Sequence, residues 1–163
     1  MNKIGKKILP LLIAVLLLGG TTAGAAVPMP EFSLSSVVDG KTVSSDSFKG
    51  KVLLITFFAT WCPPCRQEIP TLIQLHKDLG PRGFSVLGIS VDEGGAGIVA
   101  KLVEQEKINY PVLLSDSSTP DKFGGVAGIP TSFLVNRKGH VVKKYPGFVP
   151  HTLLKRDIEA LLK

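Results

Sequence analysis

A long apolar run leads directly into the two cysteines of the chain, and this junction limits the folds open to it. Residues 51–58 read KVLLITFF, a continuous stretch of mostly apolar, β-branched and aromatic side chains. Such a run is typical of a strand that is covered on both faces, as in a parallel sheet. The cysteines follow at positions 62 and 65, and Pro63 opens a helical pattern that ends near Leu79. The sequence therefore predicts a buried strand followed by a helix that begins at the cysteine pair.

The remaining patterns predict an α/β domain. A first hairpin is expected around Asp39-Gly40, a dipeptide that suits a tight turn, and a second around residues 136–139. We expect a mixed central sheet flanked by helices, parallel in its first part and antiparallel at its end. The other predicted elements are strands at 32–34, 41–43, 84–91, 110–114, 131–135 and 140–145, helices at 96–107 and 151–162, and a helical turn at 120–123.

The first 25 residues have the pattern of a secretory signal peptide. Three lysines precede an uncharged apolar run from Ile8 to Leu18, and Ala23-Gly24-Ala25 offers a small-x-small cleavage site. An uncleaved membrane anchor is the alternative, because the uncharged stretch from Ile8 to Val27 is about long enough to span a bilayer. Its second half is only weakly apolar, so we favour cleavage. Either interpretation places the domain outside the cytoplasm, with residues 26–30 as an extended linker and residues 31–163 as the folded domain.

The charge of the chain argues against nucleic-acid binding. The formal net charge is +6, and removal of residues 1–25 takes away three lysines and no acids, which leaves +3. Nucleic-acid-binding domains usually carry a clustered basic face. The remaining 138 residues are enough to bury one sizeable core.

The cysteine pair is placed for redox chemistry rather than for stability. A bridge between Cys62 and Cys65 closes almost no loop, so it restricts the unfolded chain very little. A zinc site would need four ligands, and the three histidines of the chain are scattered. Haem attachment would need a histidine directly after the second cysteine, where the chain has Arg66. We therefore expect a disulfide that is made and broken.

The helix start gives the two cysteines different roles. We expect Cys62 at the N-cap, Pro63 at the first helical position and Cys65 on the first turn. The free N–H groups and the positive end of the helix dipole favour a thiolate at Cys62. Cys62 is therefore predicted to be the exposed nucleophile and Cys65 the resolving thiol, with Trp61 shielding one flank of the pair.

Three motifs together resemble the thioredoxin superfamily. They are TFFATWCPPC, the later GIPT and the hairpin FLVNRKGHVV, and the match covers most of residues 31–163. They are most similar to the exported TlpA/ResA-like thiol–disulfide oxidoreductases. This resemblance implies a thioredoxin fold with an added N-terminal β-hairpin and a central helix–strand insertion.

The resemblance also implies roles for individual residues. The bond between Ile129 and Pro130 would be cis and would face the cysteines, leaving the backbone of Ile129 to pair with an extended substrate. The alternative is an ordinary trans proline before a strand. The substrate-contacting residues implied by the resemblance are Trp61, Pro63, Pro64, Ile129 and Pro130.

Glu68 matches the acidic residue that these oxidoreductases place near the active site. There it would hold a proton close to Cys65, and its charge would raise the pKa of neighbouring thiols. A solvated helix glutamate is the alternative. Cytoplasmic thioredoxins carry a buried aspartate six residues before the first cysteine, and here that position is Thr56. The two prolines between the cysteines leave the redox potential open.

The resemblance implies a reductase of particular exported proteins, such as those whose cysteines receive haem or copper. Its partners would be client proteins with cysteines or disulfides and a membrane electron donor of the DsbD/CcdA kind. No nucleotide, flavin or metal motif is present, and Gly94-Gly95-Ala96-Gly97 lacks the spacing of a phosphate loop. A disulfide-donating oxidase is the main alternative. A peroxidase would want threonine where Ala59 lies, and a copper chaperone would want cysteines one residue further apart.

Overall fold

The computed structural model describes residues 27–163, so the predicted leader at residues 1–25 lies outside the described residues. Two short 3-10 helices occur at Ser45–Phe48 and Gly80–Arg82. Across residues 27–163, no helix combines the length and apolar character needed to cross a bilayer. The other elements are β1 (Val27–Pro28), β2 (Ser33–Ser36), β3 (Thr42–Ser44), β4 (Val52–Phe58), α1 (Pro63–Leu79), β5 (Phe84–Ser90), α2 (Ala96–Gln105), β6 (Val112–Leu114), α3 (Thr119–Lys122), β7 (Thr131–Val135), β8 (His140–Pro146) and α4 (His151–Leu161).

These strands form one mixed sheet in the order β1-β8-β7-β4-β5-β6-β2-β3. The β4–β5 and β5–β6 pairs are parallel, whereas β7 and β8 are antiparallel to their neighbours. The predicted α/β class and the change from parallel to antiparallel pairing are confirmed. The predicted N-terminal hairpin is β2–β3, and it adds to the sheet through an antiparallel pairing of β2 with β6. The hairpin therefore joins the sheet beside the strand of the central insertion.

The central strand β4 is buried along its whole length because both faces of the sheet are covered. Val52, Leu54 and Phe58 belong to the core cluster that includes α1, α2 and α4. Leu53, Ile55 and Phe57 belong to the cluster on the other face, together with Phe123 and Phe133. Thr56 is buried and alternates along β4 with Leu54 and Phe58, so its side chain faces the same α1 side of the sheet.

The described part of the predicted linker is extended and also paired with the domain. Val27 and Pro28 pair antiparallel with Val141 and His140 of β8. The N–H of Met29 then donates to the carbonyl of Gly139 at 2.8 Å. This segment is the edge strand of the sheet beside β8, a position where a proline is tolerated.

Candidate active site

The cysteine pair lies where the turn after β4 leads into the start of α1. Cys62 is the N-cap of α1 with an extended backbone, and Pro63 is the first helical residue. The N–H of Cys65 donates to the Cys62 Sγ at 3.3 Å, which satisfies one of the free donors at the helix start. The two cysteines form a disulfide, with Cα atoms 5.3 Å apart. The predicted arrangement of the pair at the helix start is confirmed.

The prediction that Cys62 is exposed is wrong for this disulfide form. Both cysteines are only 3% exposed and belong to the core cluster on the α1 side. The reason is the capping geometry, since the side chain of Cys62 turns inward over the end of the helix to reach the N–H of Cys65. The carbonyl oxygen of Ile129 lies 3.7 Å from the Cys62 Sγ and covers it from another side. Little of Cys62 therefore faces solvent while the disulfide is closed.

The residues between and before the cysteines form the outer surface of the pair. Trp61 is 70% exposed, and the shielding of one flank of the pair stays a prediction. Pro63 is exposed and Pro64 is half-buried. Most of the Trp61 side chain therefore faces solvent.

The loop before β7 faces the cysteine pair. The bond between Ile129 and Pro130 is cis, as the resemblance implies, and Pro130 is buried. The carbonyl of Ile129 is the group that approaches the Cys62 Sγ. The Thr131 hydroxyl donates to the Gly128 carbonyl at 2.6 Å and so helps to close the loop. The alternative of a trans proline is excluded.

Glu68 lies one helical turn beyond Cys65, and its side chain is almost completely buried at 1% exposure. Its position three residues after Cys65 places it on the same side of α1. The N–H of Val149 donates to Glu68 Oε1 at 2.6 Å. Burial raises the pKa of Glu68 to about 7, and the Val149 hydrogen bond opposes this only in part. The alternative of a solvated helix glutamate is wrong, and a carboxyl group with this pKa can exchange a proton near neutral pH.

Tyr110 is a second buried ionisable group whose pKa responds to Glu68. It is buried, and its hydroxyl pKa is raised mainly by that burial and further by the negative charge of Glu68. Glu68 therefore lies in a region of the core where a negative charge is poorly solvated.

The loop between β8 and α4 connects Pro130 to Glu68, which the sequence did not indicate. The N–H of Gly147 donates to the Pro130 carbonyl at 2.8 Å, and the N–H of Val149 donates to Glu68. Phe148 lies between these two contacts and is 49% exposed. Among the large apolar side chains that the described residues leave exposed, Trp61 and Phe148 are the aromatic ones. In the sequence, the signal that could have drawn attention to this loop was an aromatic residue in the Gly-Phe-Val turn that follows a strand.

A buried carboxylate also lies beside the turn that carries the cysteines. Asp92 is 6% exposed and follows β5. It accepts hydrogen bonds from both the N–H and the hydroxyl of Thr60, two residues before Cys62. Thr60 and Asp92 each come two residues after a buried strand. That shared spacing could have predicted their contact, because parallel neighbouring strands end at one edge of the sheet.

The histidines are not gathered into a ligand set. His76 accepts a hydrogen bond from the N–H of Val86 through its Nδ1 at 3.1 Å, and its pKa is lowered by burial and by the charge of Lys51. Within the part of the chain that the structure describes, no three His, Cys, Asp or Glu residues are grouped to hold a metal ion. His76 therefore has a structural hydrogen bond.

A family model matches nearly all of the chain that carries this pair. The model described as Redoxin matches residues 23–162. The chain belongs to the Redoxin family. Within the thioredoxin superfamily this Redoxin-family protein is TlpA/ResA-like, and it is a thiol–disulfide oxidoreductase with a C-x-x-C pair.

Curated relatives and solved structures agree with this assignment. The chain is 30% identical over 134 residues to thiol-disulfide oxidoreductase ResA of Bacillus thuringiensis subsp. konkukian, covering 82% of this chain and 74% of that protein. It is 30% identical over 135 residues to ResA of Bacillus subtilis, with 82% and 73% covered.

Two crystal structures have the same fold. A thiol:disulfide interchange protein of the thioredoxin family from Chlorobium tepidum TLS has a TM-score of 0.78 at 38% identity, covering 85% of this chain and 97% of that one. A DsbF homologue from Corynebacterium diphtheriae has a TM-score of 0.78 at 26% identity, covering 88% and 96%.

Proposed function

We propose that this Redoxin-family protein is an exported reductase in which Cys62 attacks client disulfides and Cys65 resolves the mixed disulfide. The observation that carries this proposal is the position of the Cys62 Sγ. It accepts the Cys65 N–H at the start of α1 and lies beside the Ile129 carbonyl. A thiolate at that position is stabilised by the N–H group and by the helix dipole.

The reaction consists of two exchanges. The thiolate of Cys62 attacks one sulfur of the client disulfide, a new S–S bond joins the two proteins, and the other client sulfur leaves as a thiolate that takes up a proton. The thiolate of Cys65 then attacks the Cys62 Sγ and releases the second client thiolate. The client has gained two electrons and two protons, and the pair is left as the disulfide seen in the structure.

Glu68 is proposed to serve the second exchange. Its carboxylate takes the proton of the Cys65 thiol, and its pKa of about 7 leaves a substantial carboxylate fraction at neutral pH. Thr56 stands where cytoplasmic thioredoxins have a carboxylate, and its hydroxyl does not act as a base at this pH. Glu68 is the buried carboxyl group on the cysteine helix, which supports this assignment.

The client-binding surface is proposed to include Trp61, Pro63 and Pro64 on one side of the pair and the backbone of Ile129 and Pro130 on the other. The exposure of Trp61 and the approach of Ile129 to Cys62 support this surface. The binding mode would be pairing of an extended client segment along the Ile129 backbone.

Export and direction of electron flow rest on the N-terminal sequence and on the ResA relatives. We propose that the domain is periplasmic or in the cell envelope, that a membrane electron donor of the DsbD/CcdA kind re-reduces it, and that its clients include proteins of cytochrome c maturation. Membrane contact would arise only if the N-terminal segment stays uncleaved. The N-terminal residue of the protein purified from the envelope distinguishes a cleaved leader from an anchor.

The defining experiment compares insulin reduction by the wild-type protein, Cys62→Ser and Cys65→Ser with dithiothreitol as electron source. We expect no turnover from Cys62→Ser. Pre-reduced Cys65→Ser, freed of dithiothreitol before it is mixed with insulin, should accumulate a covalent client adduct because no resolving thiol is left. Insulin reduction by Cys62→Ser at the wild-type rate would contradict the proposal. Acid trapping of thiols in cells then tests direction: a mostly reduced pair supports a reductase, and a mostly oxidised pair indicates the disulfide-donating alternative.

A further inference from the structure

Asp92 is a buried carboxylate whose three strong contacts converge from two strand ends. Thr60 donates to it twice, from its N–H at 2.9 Å and from its hydroxyl at 2.6 Å. The Ser90 hydroxyl donates to Asp92 Oδ2 at 2.7 Å. Among the described residues, the ion pairs do not include Asp92. A buried carboxylate without a cation is costly unless hydrogen bonds compensate it, so these donors determine where it can lie.

The topology explains why these residues meet. The parallel strands β4 and β5 are paired from Val52–Phe84 to Phe58–Ser90 and end at the same edge of the sheet. The N–H of Val91 donates to the Phe58 carbonyl at 2.9 Å and continues the pairing by one step. Beyond that point β4 enters the turn of residues 59–62, which the Cys62 N–H closes on the Ala59 carbonyl at 3.2 Å. Thr60 is inside this turn, so its contact with Asp92 fixes the turn to the end of β5.

We propose that Asp92 is a positioning residue for the nucleophile, which holds the turn of residues 59–62 through Thr60 and thereby keeps the Cys62 Sγ aligned with the Cys65 N–H. This inference rests on the proposed role of Cys62 as attacking thiol. Asp92 acts through Thr60 and does not itself touch the sulfur in the proposed step.

The chemical consequence follows from the weakness of the N–H to sulfur contact. The Cys65 N–H stabilises a Cys62 thiolate only while the sulfur stays near its present 3.3 Å. If the turn is free to move, the sulfur spends less time there and the thiolate loses stabilisation. The pKa of Cys62 then rises, and the dithiol form becomes less favourable relative to the disulfide.

Thr60 and Ser90 provide a matched pair for the test. Each hydroxyl donates one short hydrogen bond to the same carboxylate, but only Thr60 belongs to the turn. Thr60→Val removes the hydroxyl while keeping the shape and the N–H of the residue. Thr60→Ser keeps the hydroxyl, and Ser90→Ala removes the donor that does not reach the turn.

The measurement is the rate of iodoacetamide alkylation at Cys62 in the fully reduced full-length protein, from pH 4 to pH 10, with the modified cysteine located by peptide mass. We expect Thr60→Val to raise the Cys62 pKa and slow alkylation at pH 7 by several-fold, up to about tenfold for one pKa unit. The equilibrium with glutathione should shift toward the disulfide by a similar factor, and tenfold corresponds to about 30 mV. For Thr60→Ser and Ser90→Ala, the alkylation rate and the glutathione equilibrium should both stay within about twofold of the wild-type values.

The melting temperature of each variant separates positioning from general stability. Each of Thr60→Val and Ser90→Ala removes one hydroxyl donor from the carboxylate. Ser90→Ala also removes the acceptor of the Asp92 N–H, so it is expected to melt at or below the temperature of Thr60→Val. Equal effects of these two variants on alkylation, or an unchanged Cys62 pKa in Thr60→Val, would overturn the inference. If insulin is reduced normally while Thr60→Val matches Ser90→Ala, the inference fails and the proposed function stands. If insulin is not reduced while Thr60→Val alone slows alkylation, the proposed function fails and the positioning role stands.

Discussion

The backbone N–H of Val149 donates a 2.6 Å hydrogen bond to the buried carboxyl group of Glu68. Two residues earlier in the same loop, the N–H of Gly147 donates to the Pro130 carbonyl at 2.8 Å. One loop thus contacts both the carboxyl group on the cysteine helix and the loop that faces the Cys62 sulfur. The carboxyl group of Glu68 and the Ile129-Pro130 segment are therefore connected through two hydrogen bonds of the same loop.

Glu68→Gln is expected to change how stability depends on pH. The folded-state pKa of Glu68 is about 7, above its ordinary value of 4.5, so the folded protein binds this proton more tightly than the unfolded chain. The stabilisation that the Glu68 proton adds to the free energy of unfolding is fully present below about pH 4.5 and is lost as the pH rises through about 7. Glutamine carries no titrating proton, and its carbonyl can still accept the Val149 N–H. Glu68→Gln should therefore be more stable than wild type by about 2–3 kcal/mol at pH 8, with little difference at pH 4.5.

Urea unfolding across this pH range measures that difference. Glu104→Gln, at an exposed position of α2, is the matched control and should follow the wild-type curve. A Glu68→Gln curve that runs parallel to wild type would show that Glu68 does not titrate with a raised pKa.

Glu68→Gln is also expected to slow the second exchange more than the first. Without a carboxylate to accept the Cys65 proton, release of the client from its mixed disulfide with Cys62 should slow by at least about tenfold at pH 7, since general bases contribute about a hundredfold or more. Quenched-flow mixing with a client disulfide, stopped in acid, separates the two steps. Mass spectrometry then measures the mixed disulfide and the released client at each time. Equal rates for release in Glu68→Gln and wild type would exclude Glu68 as the base.

Phe148 is predicted to contribute to binding of protein clients. It is half exposed between the two loop contacts, and Trp61 is exposed next to Cys62. An aromatic side chain buried by a client contributes about 1.5–3 kcal/mol, so Phe148→Ser should lower kcat/KM for a protein disulfide by about tenfold or more. The rate with a small disulfide such as hydroxyethyl disulfide should not change, because that substrate does not extend to Phe148.

Val142→Ser is the control for this prediction, because Val142 is 43% exposed on β8 and takes part in neither loop contact. Both disulfides should react with this variant at the wild-type rate. A loss of protein-disulfide activity that is equal in the two variants would indicate a general surface effect and contradict the assignment.

His76→Ala is expected to reduce stability without changing disulfide exchange. The imidazole accepts the N–H of Val86, whose residue is fully buried, and loss of this acceptor leaves the N–H unsatisfied at a cost of about 1–3 kcal/mol. Chemical denaturation at pH 7.5, where the imidazole is neutral, measures this loss. Cys62 alkylation in the folded variant should match wild type, and a changed Cys62 pKa would show that His76 affects the active site.

Local patterns were enough to predict most of the scaffold. The apolar run of residues 51–58 became β4, the helix begins at Pro63 as expected, and the Asn136–Gly139 turn joins β7 to β8. These features depend on periodicity, capping and turn chemistry, which neighbouring residues determine. The three motifs that resemble the thioredoxin superfamily added the family and the cis bond before Pro130, because those follow from resemblance.

The residues that were not predicted take part in contacts across long sequence separations. Asp92 lies 32 positions from Thr60, and Val149 lies 81 positions from Glu68. Ser90 lay in a predicted strand, and Asp92 lay in the loop that follows it. Neither position had a local sequence pattern that indicated its hydrogen-bond partner. The exposure of Cys62 was predicted incorrectly because the Ile129 carbonyl that covers it comes from a loop 67 residues away.

The sequence by itself determined that two cysteines meet at the start of a helix, since their spacing, Pro63 and the preceding apolar strand act within about fifteen residues of one another. Only the tertiary structure decided the environment of those sulfurs and of Glu68. Burial and the hydrogen bonds from Val149 and to Asp92 arise where separate segments pack together, and the pKa of a group depends on that surrounding medium as much as on its own chemistry.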